Sequence, residues 1–407
     1  SLNDTLRTWP LWLWTAVLLA YCYAASVMPV WILLQPRDYI NSLQLISSLG
    51  LILVALVVVG TMGVNGQPVE IVAPTTQLHP TNAPPMWPVL FITIACGAIS
   101  GFHCLVSSGT SSKQISCETD AQFVGYGSML TEGFLAVLVI LAVSAGIGLG
   151  WPNQFPGLQG KELWNTVYKD FQAAGGLPTT IGAFVVGSAN FLEGIGIDRT
   201  MAKAIMGVLV ASFAGTTLDT ATRLQRYVVQ ELSRAMGDGL PALRPVLRPL
   251  QNPHGATLFA VVTALMLAMF PGPGQPWTAE TIGQGGKILW PLFGATNQLL
   301  AGLAFLVITF WLWRRQKPVW FIAIPTVFML VMPAWALLVQ LFGPGGWWEK
   351  ESYLLSFIGF ATLGLEIWML SEAVLMWPRV RGVLEEALPP LPANRLAGET
   401  ASSSTPS

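Results

Sequence analysis

The stretch "SGFHCLVSSGTSSKQ", Ser100–Gln114, decides how the chain is read. The apolar run "VLFITIACGAI" leads straight into it, so a segment made for lipid turns polar where hydrocarbon should still surround it. One His, two Gly, six Ser or Thr hydroxyls and one Lys fall within fifteen residues. On a continuous helix His103 and Ser107 share a face, four residues apart. Two readings fit. In one, the hydroxyls bond between helices, with His103 as a core partner. In the other, the helix ends inside the protein, and backbone and hydroxyls line a polar cavity. Gly109 and the competing hydroxyls predict an end or a kink at Ser107–Thr110.

The rest of the chain sets the class. It is 53% hydrophobic and 10% charged, with mean hydropathy +0.58, whereas a soluble domain carries about 25% charged residues. Such a chain is solvated only in a bilayer, so an all-α polytopic membrane protein is expected. A net charge of −1 offers no basic footprint for nucleic acid. The four Cys form no CxxC pair and read as small buried apolar residues. HExxH, GxSxG and GxGxxG are missing, and "TSSK" at 110–113 fails SxxK because Thr110 holds its first position. No enzyme, metal or cofactor is expected. The chain opens with Ser, without a cleavable leader, which predicts preceding sequence.

Spans of roughly 20 apolar residues fall near 10–34, 43–63, 87–109, 124–150, 200–222, 255–271, 288–313, 319–342 and 352–377. A tenth stretch, 178–198, contains four Gly and Glu193, and reads as a re-entrant or broken helix. One transporter-sized bundle over 1–385 is expected, followed by a disordered Pro/Ala/Ser/Thr tail, 386–407. Arg223, Arg226, Arg234, Arg244 and Arg248 in a loop at 223–254, "WRRQK" at 313–317 and "PRVR" at 378–381 predict cytoplasmic faces and a cytoplasmic C-terminus. With 178–198 re-entrant, Arg37 and Lys113 also fall inside. "RLQRYVVQELSRAM" within the 223–254 loop has helical spacing and extends the preceding span or lies along the membrane.

Four polar clusters lie in or beside the spans. The first is the opening stretch, where His103, Ser107, Ser108 and Thr110 are candidate substrate ligands. In the second, "SANFLEGIGID", Glu193 is either a functional acid or an interfacial one. In the third, "AGTTLDTATRLQRY", Asp219 either pairs with Arg223 at i, i+4 or faces the bundle interior. There it would carry a proton or bind a cation, with Thr216 and Thr217 in its shell. In the fourth, "WPLFGATNQLLAG", the amides of Asn297 and Gln298 suit either a substrate or helix–helix adhesion. Glu132 and Glu366 are two further acids within spans.

"SGFHCLVSSGTSSKQI" followed by "ETDAQFVGYGSMLTEGFLAVL" resembles the signature of the carbon starvation protein A family. "TTLDTATRLQRYVVQEL" and "LWPLFGATNQLLAGLA" resemble its two later signatures, in the same order. The resemblance covers about residues 87–315. It implies a secondary transporter of the bacterial inner membrane that imports pyruvate-like carboxylates or small peptides during carbon starvation. A coupling proton, or sodium, is implied as a partner. So is an inverted-repeat helical bundle with discontinuous helices, like that of the amino acid–polyamine–organocation transporters. The resemblance would place more spans before the first signature than the two present here. An incomplete first repeat, or an upstream chain that supplies the missing spans, is therefore expected. The competing function is a membrane sensor or scaffold subunit that signals through the basic 223–254 surface.

Overall fold

The computed structural model describes Leu6 and residues 8–64, 68–77, 82–174, 176–271 and 275–380. It is all-helical, 78% helix with no named strand among the described residues. Helices α1 (Leu11–Val27), α2 (Val30–Met62), α3 (Phe91–Ala98), α4 (Gly101–Gly109) and α5 (Asp120–Leu141) come first. The short α6 (Gly160–Val167) and α7 (Phe171–Ala174) lead to α8 (Leu177–Gly194) and α9 (Arg199–Gly239). Then follow α10 (Arg244–Gln251), α11 (Pro253–Ala268), α12 (Gly285–Arg314), α13 (Trp320–Phe342) and α14 (Tyr353–Val380). Among the described residues, seven helical segments are long and apolar enough to cross a membrane; α1 and α11 are apolar but shorter. Large apolar side chains such as Ile94, Phe123, Phe357 and Val374 are exposed, as a lipid-facing surface requires.

The chain divides into two compact units, residues 1–298 and 299–407. In the first, α2, α5, α8 and α9 enclose a core that includes Ile52, Val59, Leu138, Phe191, Leu192 and Met206. In the second, Thr309 and Thr326 share a hydrogen bond at 3.1 Å, and Trp313 stacks on Trp377 at 4.6 Å between centroids. The 386–407 tail lies outside the described residues.

Two expectations need correction. Residues 35–42 are not a loop: Met28 takes the extended conformation that a following Pro imposes, and α2 then runs unbroken through Pro36, Arg37 and Asp38. Nor is 178–198 broken, because α8 is one continuous helix to Gly194. Its glycines serve close packing instead. A Cβ at Gly187 would collide with the Ala142 carbonyl, and one at Gly146 with the Gly187 backbone. Asn190 then fastens the crossing, donating to the carbonyls of Gly146 and Gly150 at 2.8 Å each. The first part of the basic 223–254 segment extends the preceding span as part of α9, the first of the two courses its helical spacing allowed. This helix of 41 residues is about 60 Å long, twice the hydrocarbon thickness. Asp198 caps its start, accepting from the backbone N–H of Thr200 at 2.9 Å and Met201 at 3.3 Å.

Candidate functional site

The opening stretch does contain a discontinuous helix, but the principal break precedes the hydroxyls. Ile99 and Ser100 are extended, separating α3 from α4. The second interruption is at Thr110, where α4 ends (φ −132°, ψ −57°) before a single 3-10 turn at Ser111–Lys113. A break leaves backbone groups orphaned on both sides. Two neighbouring amides on α12 take them up. Asn297 Oδ1 accepts from the Phe102 N–H at 2.8 Å, the role that an N-cap side chain plays locally. Its Nδ2 meets Ser100 Oγ at 3.0 Å and donates to Cys96 Sγ at 3.1 Å. Gln298 Nε2 donates to the Ile99 carbonyl at 2.7 Å. Both amides are buried, and Gln298 Oε1 has no partner.

Beside α4 lies a cavity of about 400 Å³. Asp38 of α2, Phe102 and His103 of α4, Thr110, and Thr216, Thr217 and Thr220 of α9 are among its walls. Thr110 is buried and its hydroxyl has no partner. The Thr216 hydroxyl accepts from Asn41 at 2.5 Å and donates to the Ser212 carbonyl at 2.8 Å. Thr217 donates to the Phe213 carbonyl at 3.1 Å. Ser107 and Ser108 are exposed outside this cavity and donate to the Cys104 carbonyl at 2.9 and 3.1 Å.

Asp219 sits behind the cavity wall with a fully buried carboxylate. Its partner is Arg37, 182 residues away, not Arg223. Tyr21 also donates to Asp219 Oδ2 at 3.0 Å. The same guanidinium pairs with Asp38 at 2.8 Å, so one cation serves two carboxylates. Arg223 instead donates to the carbonyls of Ala25 at 2.5 Å and Met28 at 2.7 Å, and Arg226 donates to that of Ser26 at 2.5 Å. These are the orphan carbonyls at the end of α1. Lys113 packs over the Tyr227 ring, 4.7 Å from its centroid.

Glu193 is elsewhere. It is exposed at the end of α8 and lines a second cavity of about 310 Å³, where it pairs with Arg199 at 3.3 Å. Glu366 is buried within α14, while Glu132 on α5 is exposed. Cys22 is buried, whereas Cys117 is exposed, so not every Cys acts as a small buried apolar residue.

The family model of carbon starvation protein CstA matches residues 4–148 and 160–336. The chain belongs to the CstA family. The pyruvate/proton symporter BtsT of Escherichia coli (strain K12) is 29% identical over 396 residues, covering 84% of this chain and 52% of that protein. The peptide transporter CstA of Campylobacter jejuni is 34% identical over 352 residues, 77% of this chain and 47% of that protein. That of Mycobacterium tuberculosis (strain H37Rv) is 31% identical over 381 residues, 83% of this chain and 48% of that protein. The chain thus spans about half the length of the curated relatives it matches. No solved structure matches it.

Within this CstA-family chain, Ser107 and Ser108 lie outside the cavities and Asp219 is buried against Arg37, while the other candidate residues fall into three places. His103, Thr110, Thr216 and Thr217 share the first cavity, Asn297 and Gln298 hold the helix break, and Glu193 lines the second cavity. Sequence reasoning missed Arg37, Asp38 and Tyr21. Pro36 beside two charges looked like a loop, and nothing local to "QPRDY" signals a partner on α9.

Proposed function

We propose that this chain forms part of an importer of the bacterial inner membrane, one that takes up pyruvate-like small carboxylates or short peptides during carbon starvation, coupled to protons. The observation that carries the reading is one guanidinium, Arg37, shared by Asp219 and Asp38, the latter in the wall of the first cavity. Arg37 supplies one positive charge against two carboxylates, so the cluster carries one negative charge in excess. A proton on Asp219 removes its hold on Arg37. The freed guanidinium then offers a planar fork to a substrate carboxylate in the cavity. The partnerless Thr110 hydroxyl and His103 supply further polar contacts there. Loss of the proton restores the Arg37–Asp219 pair and releases the substrate. Sodium is the alternative coupling ion, with the Thr216 and Thr217 oxygens beside Asp219 as its ligands. The basic residues at 234–248, 314–317 and 379 mark the cytoplasmic face, with the C-terminus on that side.

The test is uptake of labelled pyruvate and labelled dialanine into proteoliposomes, with a pH gradient imposed and sodium absent. Asp219→Asn should abolish gradient-driven accumulation while exchange persists. Gradient-driven uptake by Asp219→Asn at the wild-type rate would overturn the proton role of Asp219. Accumulation that needs sodium and ignores the pH gradient would assign the coupling to sodium.

A further inference from the structure

We propose that one flank of α5, centred on Glu132, is the docking face for a membrane-spanning helix that carries an Arg or Lys at the same depth. That helix comes from outside these 407 residues. This surface is separate from the transport reading, and neither depends on the other.

Glu132 stands where a bare carboxylate is least tolerated. It lies inside Asp120–Leu149, one of the segments long and apolar enough to cross a membrane. At 1.5 Å per residue it is about 18 Å along the axis from Asp120 and about 25 Å from Leu149, near mid-membrane. Its side chain is exposed, with no hydrogen bond or ion pair among the described residues. It is not among the walls of either cavity. Asp219, by contrast, has Arg37 and Tyr21, and Glu193 has Arg199. An ionised group at membrane depth is costly unless it is paired or reaches water. Hydrocarbon offers Glu132 neither.

The surroundings of Glu132 are shaped for a second helix. Ala121, Gly125, Ser128, Glu132 and Ala136 recur at helical spacing, share one flank and are all exposed. On one side of this flank α5 packs into its unit through Leu138. On the other stand Tyr126, Leu130 and Phe134, large and exposed as a lipid-facing side requires. Apart from Glu132 the flank is small. A Cβ at Gly125 would meet nothing within 4 Å, and the Ser128 hydroxyl already donates to the Val124 carbonyl at 2.6 Å. Small side chains let a second backbone come close, which is what helix association in lipid depends on.

Charge selects the occupant. A carboxylate away from water attracts a cation strongly, and intramembrane ionisable groups pair with one another across helices. An Arg or Lys on an otherwise apolar helix supplies that cation at the required depth. A second copy of this chain does not. A two-fold contact through the same flank presents the same patch on both sides, and so sets Glu132 against Glu132. Lipid headgroups do not reach either, since the hydrocarbon core is about 30 Å thick and its middle lies about 15 Å from them.

The experiment measures energy transfer in phosphatidylcholine vesicles, from a donor dye on the exposed Cys117 of the full chain to labelled spanning peptides. The probes are synthetic helices of about 20 Leu and Ala residues with Arg, Leu or Glu at the centre. The Arg peptide should reach half-maximal transfer at about a tenth of the mole fraction that the Leu and Glu peptides need. Glu132→Gln should erase that difference. Because Glu132 touches no partner within the chain, this variant keeps its fold, which helical content by circular dichroism checks. Gly125→Leu, placed in open space, should raise the mole fraction of the Arg peptide about threefold by holding the helices apart. Equal transfer to the Arg and Leu peptides, or an Arg preference that survives Glu132→Gln, would overturn the proposal. Transfer between differently labelled copies of the chain that is lost in Glu132→Gln would make the occupant a second copy and overturn it equally.

Discussion

Two arginine–carboxylate pairs in the same unit are built on opposite principles. Arg37 and Asp219 meet deep in the bundle, the carboxylate with no exposure, Tyr21 donating to it and Asp38 sharing the cation. Glu193 and Arg199 meet at a helix corner, 3.3 Å apart and 45% and 30% exposed. In the first, desolvation makes each partner indispensable to the other. In the second, water screens the charges, and the pair stays free to exchange partners. The first arrangement holds for as long as Asp219 keeps its charge. The second is open to solvent on both sides of the pair.

The comparison is broken most directly at Arg37. Arg37→Met should destabilise the protein by about 3–5 kcal/mol, because it strands the buried Asp219 carboxylate. The midpoint of unfolding in mixed detergent measures this. The double variant Arg37→Met, Asp219→Leu should regain most of that loss, since replacing both members of a buried pair is often near neutral. A double variant as unstable as the single one would show that Arg37 works through contacts other than Asp219.

Arg223 is a third kind, a buried cation whose Nη2 donates to two carbonyls of α1 and which has no carboxylate partner among the described residues. Arg223→Met should cost about 1.5–3 kcal/mol, the range for hydrogen bonds to a charged group, and should loosen α1. Faster hydrogen exchange at the end of α1, around Ala25–Met28, is the expected signature.

Asn297 shows how much a neutral amide contributes to the same problem. Asn297→Ala should cost about 0.5–2 kcal/mol, as loss of an N-cap does, with faster exchange at the Phe102 amide. Protection at Phe102 equal to wild type would show that water or another group caps α4.

The smallest effect belongs to Glu193. Glu193→Gln should change stability by no more than about 1 kcal/mol, and less at high salt, where exposed pairs are screened. A loss as large as that of Arg37→Met would erase the distinction between the pairs.

Much of the fold was legible. The helix end at Gly109–Thr110 followed from Gly and hydroxyls that compete for the backbone, and it is where the structure places it. The break at Ile99–Ser100 was not legible, because "AIS" contains no Pro and the groups that satisfy it come from Asn297 and Gln298, about two hundred residues on. The glycines of 178–198 misled for a related reason. Gly both weakens a helix and admits a neighbouring backbone, and only the presence of Gly146 and Ala142 against Gly187 selects the second use. Arg223 and Arg226 looked like surface cations, yet they are buried against the end of α1.

The sequence alone determined the all-helical membrane class, where most of the apolar spans lie and the family. Each is written in contiguous residues, since the length of an apolar run and the order of a motif are local properties. Only the tertiary structure decided which charge meets which. Asp219 has Arg223 one turn away but pairs with Arg37 on another helix, while Arg223 turns to the backbone of α1. A buried charge is stabilised by whatever partner the packing brings within hydrogen-bonding reach, and that depends on how helices far apart in the chain are set against each other.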